Sequence, residues 1–354
     1  MTRRLVWGAA FVAIAASAWF MTRGNDETAS PDSRASVAST GAAKPASANA
    51  APARSANDTL SRTAVTPKKS LFNEFVTSRD YRSLYDRLRN TPEGSTPHGR
   101  LVLYEILREC SKLTGDVPRA FYPRVWSPKD QQEFVKGIAL TDPQRERRIA
   151  AYQQFTADRC AGIGEVSLSQ DELLRLLRES AAGGEPAAQA LAIEHDLWTA
   201  RRTSGNQEAS PTDAQIDTLK QAVSSKDPEA IRVAGRVLSN GWSDYALRIG
   251  PDELPVEARP FVNAWLVLAC EYGAACGPDT PRMQQACALQ GYCDAQSFPE
   301  HLANYGTTPH DATLLVQYRS LVRSAIETGD WSQIHILRGQ PQGGSRPTFI
   351  PGPR

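Results

Sequence analysis

The sequence predicts an all-α protein whose helical hairpins pack as a bundle or as a short α-solenoid, stapled by disulfides near the C-terminus. Three features lead to this expectation. Apolar residues recur at helical spacing along most of the 354-residue chain, two junctions 42 residues apart resemble each other, and four of the six cysteines fall within 24 residues. No convincing stretch alternates between apolar and polar residues with a period of two, which is the pattern of a half-buried strand.

The expected helices follow from the spacing of the large side chains. In SRDYRSLYDRLRN, the residues Tyr81, Leu84, Tyr85 and Leu88 share one helical face. In GRLVLYEILRECSKLTG a second stripe ends before Gly115, the expected C-cap. The members of that stripe are Leu103, Ile106, Leu107, Cys110 and Leu113. Further helices are expected at about 129–138, 142–160, 169–182, 186–202, 211–224, 228–240, 256–272, 281–290 and 310–328.

Residues 1–23 form a candidate membrane segment. Arg3 and Arg4 precede an uncharged run, residues 5–21, which reaches the lower length limit for a helix that spans a bilayer. This length favours an uncleaved signal anchor, although Ala16-Ser17-Ala18 offers the cleavage site of a signal peptide. Arginines before the span place the rest of the chain outside the cytoplasm. We therefore expect a single-pass inner-membrane protein with a periplasmic domain, or a soluble periplasmic or secreted protein if the segment is cleaved.

The composition divides the remaining chain into three parts. Residues 24–69 are rich in Ala, Ser, Thr and Pro, with too few large apolar groups to offset the entropy of ordering, and are expected to be a disordered tether. Residues 70–338 carry the helical pattern and are expected to form the folded domain, with a subdivision near residue 165 as one option. Residues 339–354 are expected to be a disordered tail.

Two junctions inside the folded part resemble each other at an offset of 42 residues. They read SAAGGEPAAQALAIEHDLW and AVSSKDPEAIRVAGRVLSN, and each passes through an acidic residue and a proline, Glu185-Pro186 and Asp227-Pro228. Proline is favoured in the first turn of a helix, and the alanines that follow allow close packing of a hairpin. The pattern is similar to tetratricopeptide-like repeats of the Sel type, although the offset is longer than the repeat of that family. A plain helical bundle with two similar turns is the alternative.

The six cysteines are candidates for disulfide bonds, because an even number of cysteines outside the cytoplasm usually forms pairs. Cys110 and Cys160 are expected to pair across two helices, with two buried free cysteines as the alternative. The other four form two C-x5-C patterns, and their connectivity is open. Glycines at the helix ends favour local closure, in which each cysteine pairs within its own pattern. The rival is a cross-link between patterns. The four are Cys270, Cys276, Cys287 and Cys293.

Metal and redox chemistry fit these cysteines poorly. Structural zinc sites usually space paired cysteines by two to four residues, whereas five residues separate each pair here. A redox centre favours C-x-x-C with its first thiol at a helix N-terminus, and these cysteines lie near expected helix C-termini. No metal site and no cofactor is therefore expected.

The C-terminal third carries a more particular resemblance. The stretches CEYGAACGPDTPRMQQACALQGYC, YGTTPHD and AIETGDWSQI resemble a group of uncharacterised exported proteins of Gram-negative bacteria over roughly residues 260–337. The resemblance implies an exported location and a shared helical domain. It implies no activity, because none is assigned to that group.

No catalytic residue stands out in the sequence. There are five histidines and no metalloprotease, nucleophile-elbow, P-loop or dinucleotide pattern. The triplet Glu194-His195-Asp196 is interpreted as a solvated helix face, because consecutive helical residues point in different directions. His310 is interpreted as part of a helix start capped by Thr308. His335 is expected in a short terminal helix, and no pair of carboxylates is singled out.

These features predict function only in outline. The net charge is +1, with 40 basic and 39 acidic residues, so nucleic acid is not an expected partner. The main hypothesis is a non-enzymatic periplasmic domain that is tethered to the inner membrane and binds an unidentified envelope protein or another envelope component. The alternative is a cell-envelope hydrolase whose site would use His301, His310 and carboxylates from distant segments.

Overall fold

The computed structural model describes residues 55–63, 66–110, 112–114, 128–154, 159–203, 209–242 and 245–339. All of these belong to one compact unit, Pro52–Arg354. The expected membrane segment, most of the expected tether and nearly all of the expected tail lie outside the described residues. Within them, no helix has the length and apolar character that a bilayer span requires.

The structure is mostly helical, which confirms the all-α class. The four residues of the first stripe, beginning with Tyr81, lie in one helix and are all buried. The second stripe is helical only as far as Cys110, and the prediction was wrong for Leu113, which lies in the short strand Lys112–Thr114. The helices are α1 (Ala56–Ser61), α2 (Leu71–Thr77), α3 (Tyr81–Arg89), α4 (Pro97–Cys110), α5 (Pro128–Gly137), α6 (Arg145–Gln153), α7 (Gln170–Ala182), α8 (Pro186–Thr203), α9 (Asp213–Ser224), α10 (Pro228–Ser239), α11 (Ala258–Glu271), α12 (Pro281–Gln285), α13 (Phe298–His301) and α14 (Pro309–Thr328). A 3-10 turn at Pro92–Ser95 and π-helical turns at Ala286–Gln290 and Leu302–Gly306 complete the helical part.

The helix starts carry the caps that the sequence indicates. The side chain of Ser169 accepts a hydrogen bond from the backbone N–H of Glu172, whose own side chain bonds back to the Ser169 backbone, which makes a full capping box at α7. Thr308 caps α14 in the same position. Asp227 caps α10, and Pro228 follows as its first residue. These caps satisfy backbone N–H groups that have no partner inside the helix.

The two similar junctions are the turns of two helical hairpins. Helices α7 and α8 form one, α9 and α10 form the next, and α8 packs on both helices of the second. Helix α4 packs on α7 at one end of the series, while α10 packs on α11 and α11 on α14 at the other. Gly235 allows the close approach of α10 to α11, because a Cβ atom there would lie 2.3 Å from the Cβ of Trp265.

A single large hydrophobic core runs through the described part of the domain. It includes buried residues on both sides of position 165, such as Ile106 and Leu173, so a subdivision there does not exist in the core. A smaller cluster joins α6 to the π-turn after α12 through Tyr152 and Ala288. The helical hairpins therefore share one interior.

The folded part begins before residue 70, within the segment expected to be a tether. Helix α1 is capped by Ser55 and buries Leu60 completely, and it packs on α14. Leu60 is the one large apolar residue of the sequence ANDTLS, and its burial against an existing core anchors a segment that is otherwise polar.

Short strands are present, although the sequence predicted none. Strand β3 (Tyr245–Ile249) pairs antiparallel with β4 (Leu254–Pro255) and with β5 (Ile334–Arg338), and β1 (Lys112–Thr114) pairs parallel with β2 (Ser167–Ser169). His335 lies in β5, so its expected position in a helix was wrong. Strand β3 is buried at nearly every position, so it shows no alternation of apolar and polar residues, and its partner β5 is distant in sequence.

The six cysteines lie in three pairs at disulfide distance. Cys110 at the end of α4 pairs with Cys160, with their Cα atoms 5.2 Å apart. The other two pairs are local, Cys270–Cys276 after α11 and Cys287–Cys293 after α12. This is the local pairing that the glycines at the helix ends predicted. Gly273 and Gly291 both adopt a positive φ, which turns the chain back toward the helix.

Candidate functional site

A cavity of about 580 Å³ opens where the hairpin turns meet the N-terminal part of the domain. One side of α4 forms its floor, and the starts of α8 and α10 form one wall. The opposite wall comes from the segment before α2, the end of α11 and the loop that carries α12. A volume of this size is typical of small-molecule and peptide-end sites in proteins.

Asn73 joins two segments of one cavity wall. Its amide nitrogen donates to the carbonyls of Lys68 and Gly273, both at 2.7 Å, and its amide oxygen accepts from the backbone N–H of Ala275 at 2.7 Å. The loop that it holds, residues 270–276, is closed by the Cys270–Cys276 pair. The first of the two C-x5-C staples therefore shapes the cavity wall.

Buried Arg159, next to Cys160, fixes the segment around α12. Its guanidinium donates to the carbonyls of Val76 and Asp279, both at 2.7 Å, and to Oε1 of Gln284 at 3.0 Å. These bonds connect α2 with both ends of the segment that carries α12. The orientation of that short helix is thereby tied to the core.

The floor of the cavity carries three charged residues of α4. Glu105 is almost completely buried, and its Oε2 accepts a hydrogen bond from Arg108 at 2.5 Å. Its other oxygen and the Nε of Arg108 have no hydrogen-bond partner among the described residues. Glu109 accepts a bond of 3.4 Å from the hydroxyl of Tyr81. Burial raises the pKa of Glu105 and of Glu109 above the ordinary value, against the lowering effect of Arg108.

Two further ion pairs extend from the floor into α10 and α8. Within α10, the carboxylate of Glu229 accepts two hydrogen bonds from Arg232. One turn later, Arg236 donates two bonds, of 2.9 and 2.6 Å, to Glu194 of α8. Although burial raises the pKa of Glu194, the charge of Arg236 and its hydrogen bonds lower it below the ordinary value.

The starts of α8 and α10 each place one acidic residue at the rim of the cavity. Glu185 lies 3.1 Å from Nδ1 of His98, and this hydrogen bond raises the pKa of His98 despite the opposing effect of burial. Asp227 caps α10 through the N–H of Ala230 at 2.7 Å. Burial raises the pKa of Asp227 more than that bond lowers it. Both acidic rim residues are thus held by partners within the fold.

Arg282 on α12 differs from the other cavity arginines. Its guanidinium carbon lies 4.9 Å from the ring centroid of Phe298, and its side chain is exposed to solvent within the cavity. In the described part of the chain no residue forms an ion pair or hydrogen bond with its guanidinium. Although this side chain is accessible to solvent, the protein around it limits its hydration, and this effect, with added repulsion from Arg232 and Arg236, lowers the pKa of Arg282 to about 10.

The charges that line the cavity are unequally paired. Among the described lining residues, every acidic side chain has a partner: Arg108, Tyr81, His98, Arg232 or a backbone N–H. Arg282 and three lysines have none among those same residues. The lysines are Lys68, Lys69 and Lys226. The cavity consequently presents N–H donors of Arg282 and of the three lysines that pair with no carboxylate of the described residues, beside an apolar wall that includes Leu266 and Phe298.

Known proteins do not assign a role to this cavity. No family model, curated protein or solved structure matches this chain. The resemblances to exported proteins and to Sel-type repeats therefore remain expectations from the sequence. The chemistry of the cavity is the remaining basis for a functional assignment.

The histidines named for a hydrolase do not come together. His301 is buried, has no partner for its Nδ1 among the described residues, and lies among the rings of Tyr292 and Phe298. His310 is exposed and lies 3.1 Å from Glu257. The interpretation of residues 194–196 as a solvated face is wrong for Glu194, whose carboxylate forms the pair with Arg236.

The residues that line the cavity were missed by sequence reasoning. A signal did exist in α4, where Glu105, Arg108 and Glu109 interrupt a strongly apolar run. Their spacing of three and four is that of an ordinary polar helix stripe, so only the burial of α4 distinguishes them. Arg282 carries no sequence signal, because its importance lies in the absence of a partner among the described residues. Within those residues no group of three or more His, Cys, Asp or Glu could hold a metal ion.

Proposed function

We propose that this protein is a non-enzymatic binding domain of the cell envelope, and that the cavity recognises its partner or ligand. The observation that carries this proposal is a cavity of about 580 Å³ in which charged groups and an apolar wall face the same space. Binding sites usually combine an apolar lining with a small number of fixed polar groups. Here the polar groups are fixed by ion pairs, caps and disulfide-closed loops.

The rigidity of the cavity supports a binding role. Its floor, its rim and one wall belong to regular helices, and the remaining wall is tied by Asn73 and Arg159 to α2. A site that is formed before its ligand arrives loses less conformational freedom on binding than a mobile one. This arrangement favours recognition of a defined chemical group.

The proposed compartment rests on two separate supports. All six cysteines lie in pairs, which is typical of proteins that mature under oxidising conditions. The sequence of residues 1–23 adds an expected anchor with positive charge on its cytoplasmic side. We accordingly propose a periplasmic domain tethered to the inner membrane, whose partner is an envelope component.

The same cavity favours hydrolysis as a second candidate function. His98 and Glu185 form a hydrogen-bonded pair at its rim, and burial raises the pKa of Glu105 and Glu109 on its floor. A histidine oriented by a carboxylate is a common general base, and a carboxyl group of raised pKa is a common general acid. Binding is preferred because no serine, threonine or cysteine of the described residues donates a hydrogen bond to His98.

Site-specific photo-cross-linking in the exported full chain tests the proposed function. An Ala275→p-benzoylphenylalanine variant places the reactive group at the cavity wall, whereas the same substitution at Leu140, which is 87% exposed, serves as the control. We expect a discrete adduct from position 275 that position 140 does not give. Equal or absent adducts at the two positions would refute a recognition role for the cavity.

The second candidate has its own test. The purified protein is incubated with peptidoglycan and with chromogenic ester substrates, and a His98→Gln variant serves as the comparison. A hydrolase would release product at a rate that this substitution reduces at least about a hundredfold, the usual contribution of a general acid or base. A binding domain releases none in either form.

A further inference from the structure

We infer that the ligand of the cavity carries an anionic group, a carboxylate or a phosphate, which Arg282 binds while Lys226 adds to the selection for negative charge. This inference rests on the proposed binding function and names the chemistry of the ligand. Probes that differ only in their head group distinguish a carboxylate from a phosphate.

The guanidinium of Arg282 is without a carboxylate partner among the described residues. Three arginines in or beside the cavity, Arg108, Arg232 and Arg236, each pair with a carboxylate. Arg282 has an aromatic ring on one side and the open cavity around its N–H groups, without a carboxylate partner among the described residues. Its N–H groups are therefore available for a planar anion, which a guanidinium binds with two parallel hydrogen bonds.

The surroundings of Arg282 make its unpaired charge unfavourable. Loss of hydration contributes most, Arg232 and Arg236 add repulsion, and the attraction of Glu229, which is already paired with Arg232, opposes these effects only in part. An anion in the cavity would relieve this repulsion, because it would supply the opposite charge that Arg282 lacks. A cationic ligand would increase the repulsion, and a neutral one would leave it unchanged.

Lys226 supplies a second, independent argument. It occupies the α9–α10 turn with a φ of 60°, a left-handed conformation that lysine rarely adopts. In the equivalent turn, 42 residues earlier, the same position is Gly184, with a φ of 88°. Glycine adopts this conformation without steric cost, so the lysine makes the turn less favourable. The lysine adds a cation to the lining of the cavity. Residues held in rarely adopted backbone conformations cluster at binding sites.

The apolar wall defines the other part of the ligand. Phe298, which carries Arg282 on its face, lines the cavity together with Leu266 and Phe75. An anion alone would leave this surface in contact with water. The geometry therefore fits a small ligand, or the end of a chain, in which an apolar portion is joined to the negative group.

Three small probes with one apolar portion and different head groups test this inference on the full chain. They are 4-phenylbutyrate, 4-phenylbutyl phosphate and 4-phenylbutanol, and calorimetry measures their affinities. We expect at least one of the two anions to bind about tenfold or more tightly than the alcohol, with a preference that weakens as salt is added. The tighter anion identifies the head group as carboxylate or as phosphate.

Three variants assign the effect to the cavity. Arg282→Gln should remove the preference for an anion, while Arg79→Gln, at an exposed surface pair outside the cavity, should retain it. Lys226→Gly should weaken anion binding without lowering the melting temperature, because glycine adopts the left-handed conformation of this position without steric strain. That combination excludes unfolding as the cause of the loss.

The outcomes separate this inference from the proposed function. Equal binding of all three probes, unaffected by Arg282→Gln, would overturn the inference of an anionic ligand, while the proposed binding function of the cavity would stand. Absence of binding by every probe, together with a specific adduct at position 275, would also overturn the inference while the proposed function stands. Absence of both binding and adduct would overturn both.

Discussion

The guanidinium of Arg236 and the carboxylate of Glu194 form a two-hydrogen-bond pair between α10 and α8, and the two residues are separated by the same 42 positions that relate the hairpin turns. The pair lies next to the floor of the cavity and is shielded from solvent, with side-chain exposures of 28% and 16%. It therefore connects successive hairpins at equivalent points. Its removal should affect stability more than the loss of a surface pair.

Substitution Glu194→Gln tests this connection. It leaves the Arg236 charge without its partner in a poorly solvated position, so we expect the free energy of unfolding to fall by about 1–3 kcal/mol. The control is Arg175→Gln, which removes an exposed pair with Glu179 and should cost less than about 0.5 kcal/mol. Urea unfolding measures both, and equal losses would contradict the structural role of the shielded pair.

The approach of α10 to α11 gives a second prediction. Gly235→Ala places a Cβ atom 2.3 Å from the Cβ of Trp265, so one helix must shift, and the free energy of unfolding should fall by about 2–4 kcal/mol. Gly137→Ala is the matched control, because nothing lies within 4 Å of the added atom. That substitution should be neutral or stabilise by up to about 1 kcal/mol. A tolerated alanine at position 235 would show that the helices lie farther apart.

The His98–Glu185 pair predicts a pH dependence of stability. The hydrogen bond and charge of Glu185 raise the pKa of His98 above its ordinary value of about 6.5, with further contributions from Asp227 and Glu93. A histidine whose pKa is raised in the folded state contributes stability that is fully present below about pH 6.5 and is lost as the pH rises through the folded-state pKa. The wild-type protein should thus lose stability relative to His98→Gln above that pH.

Unfolding free energies of both forms, measured between about pH 5.5 and about pH 8.5, check this prediction. The comparison isolates His98, because the pKa values of His195 and His301 are lowered by burial in both forms. A difference that is constant over this range would contradict the raised pKa.

The three cysteine pairs should differ in their contribution to stability. Removing Cys110–Cys160 by a double alanine substitution opens a closure of 50 residues and should cost about 4 kcal/mol in the chain-entropy account. Removing Cys270–Cys276 opens a closure of only 6 and should cost about 2 kcal/mol. Urea unfolding gives the order, and six free thiols in the unreduced, denatured exported protein would refute the pairing.

The helices could be predicted from the sequence because their signals are local. The stripe that includes Tyr81 and Leu84, the capping box at Ser169 and the proline at the start of α10 each lie within one or two turns. Strands β3 and β5 could not be predicted, since their pairing joins segments about ninety residues apart. Short buried strands carry no alternating pattern that would reveal them.

The candidate site could not be predicted, for a related reason. Glu105 and Arg108 have the spacing of a solvated stripe, and only the helices packed around α4 turn them into a cavity floor. His98 and Glu185 lie far apart in sequence and meet only because α4 packs on α7, at the turn into α8. Arg282 is distinguished only by the absence of an ion pair or hydrogen bond between its guanidinium and any described residue. Each of these properties belongs to tertiary packing.

The most direct test combines the cavity with its proposed ligand chemistry. In the exported full chain carrying Ala275→p-benzoylphenylalanine, adduct formation is measured with and without the tighter-binding anionic probe, in the presence and absence of Arg282→Gln. We predict that the probe suppresses the adduct, and that Arg282→Gln weakens both adduct formation and its suppression. An adduct that persists unchanged with saturating probe and in the Arg282→Gln variant would contradict recognition of an anionic group at this cavity.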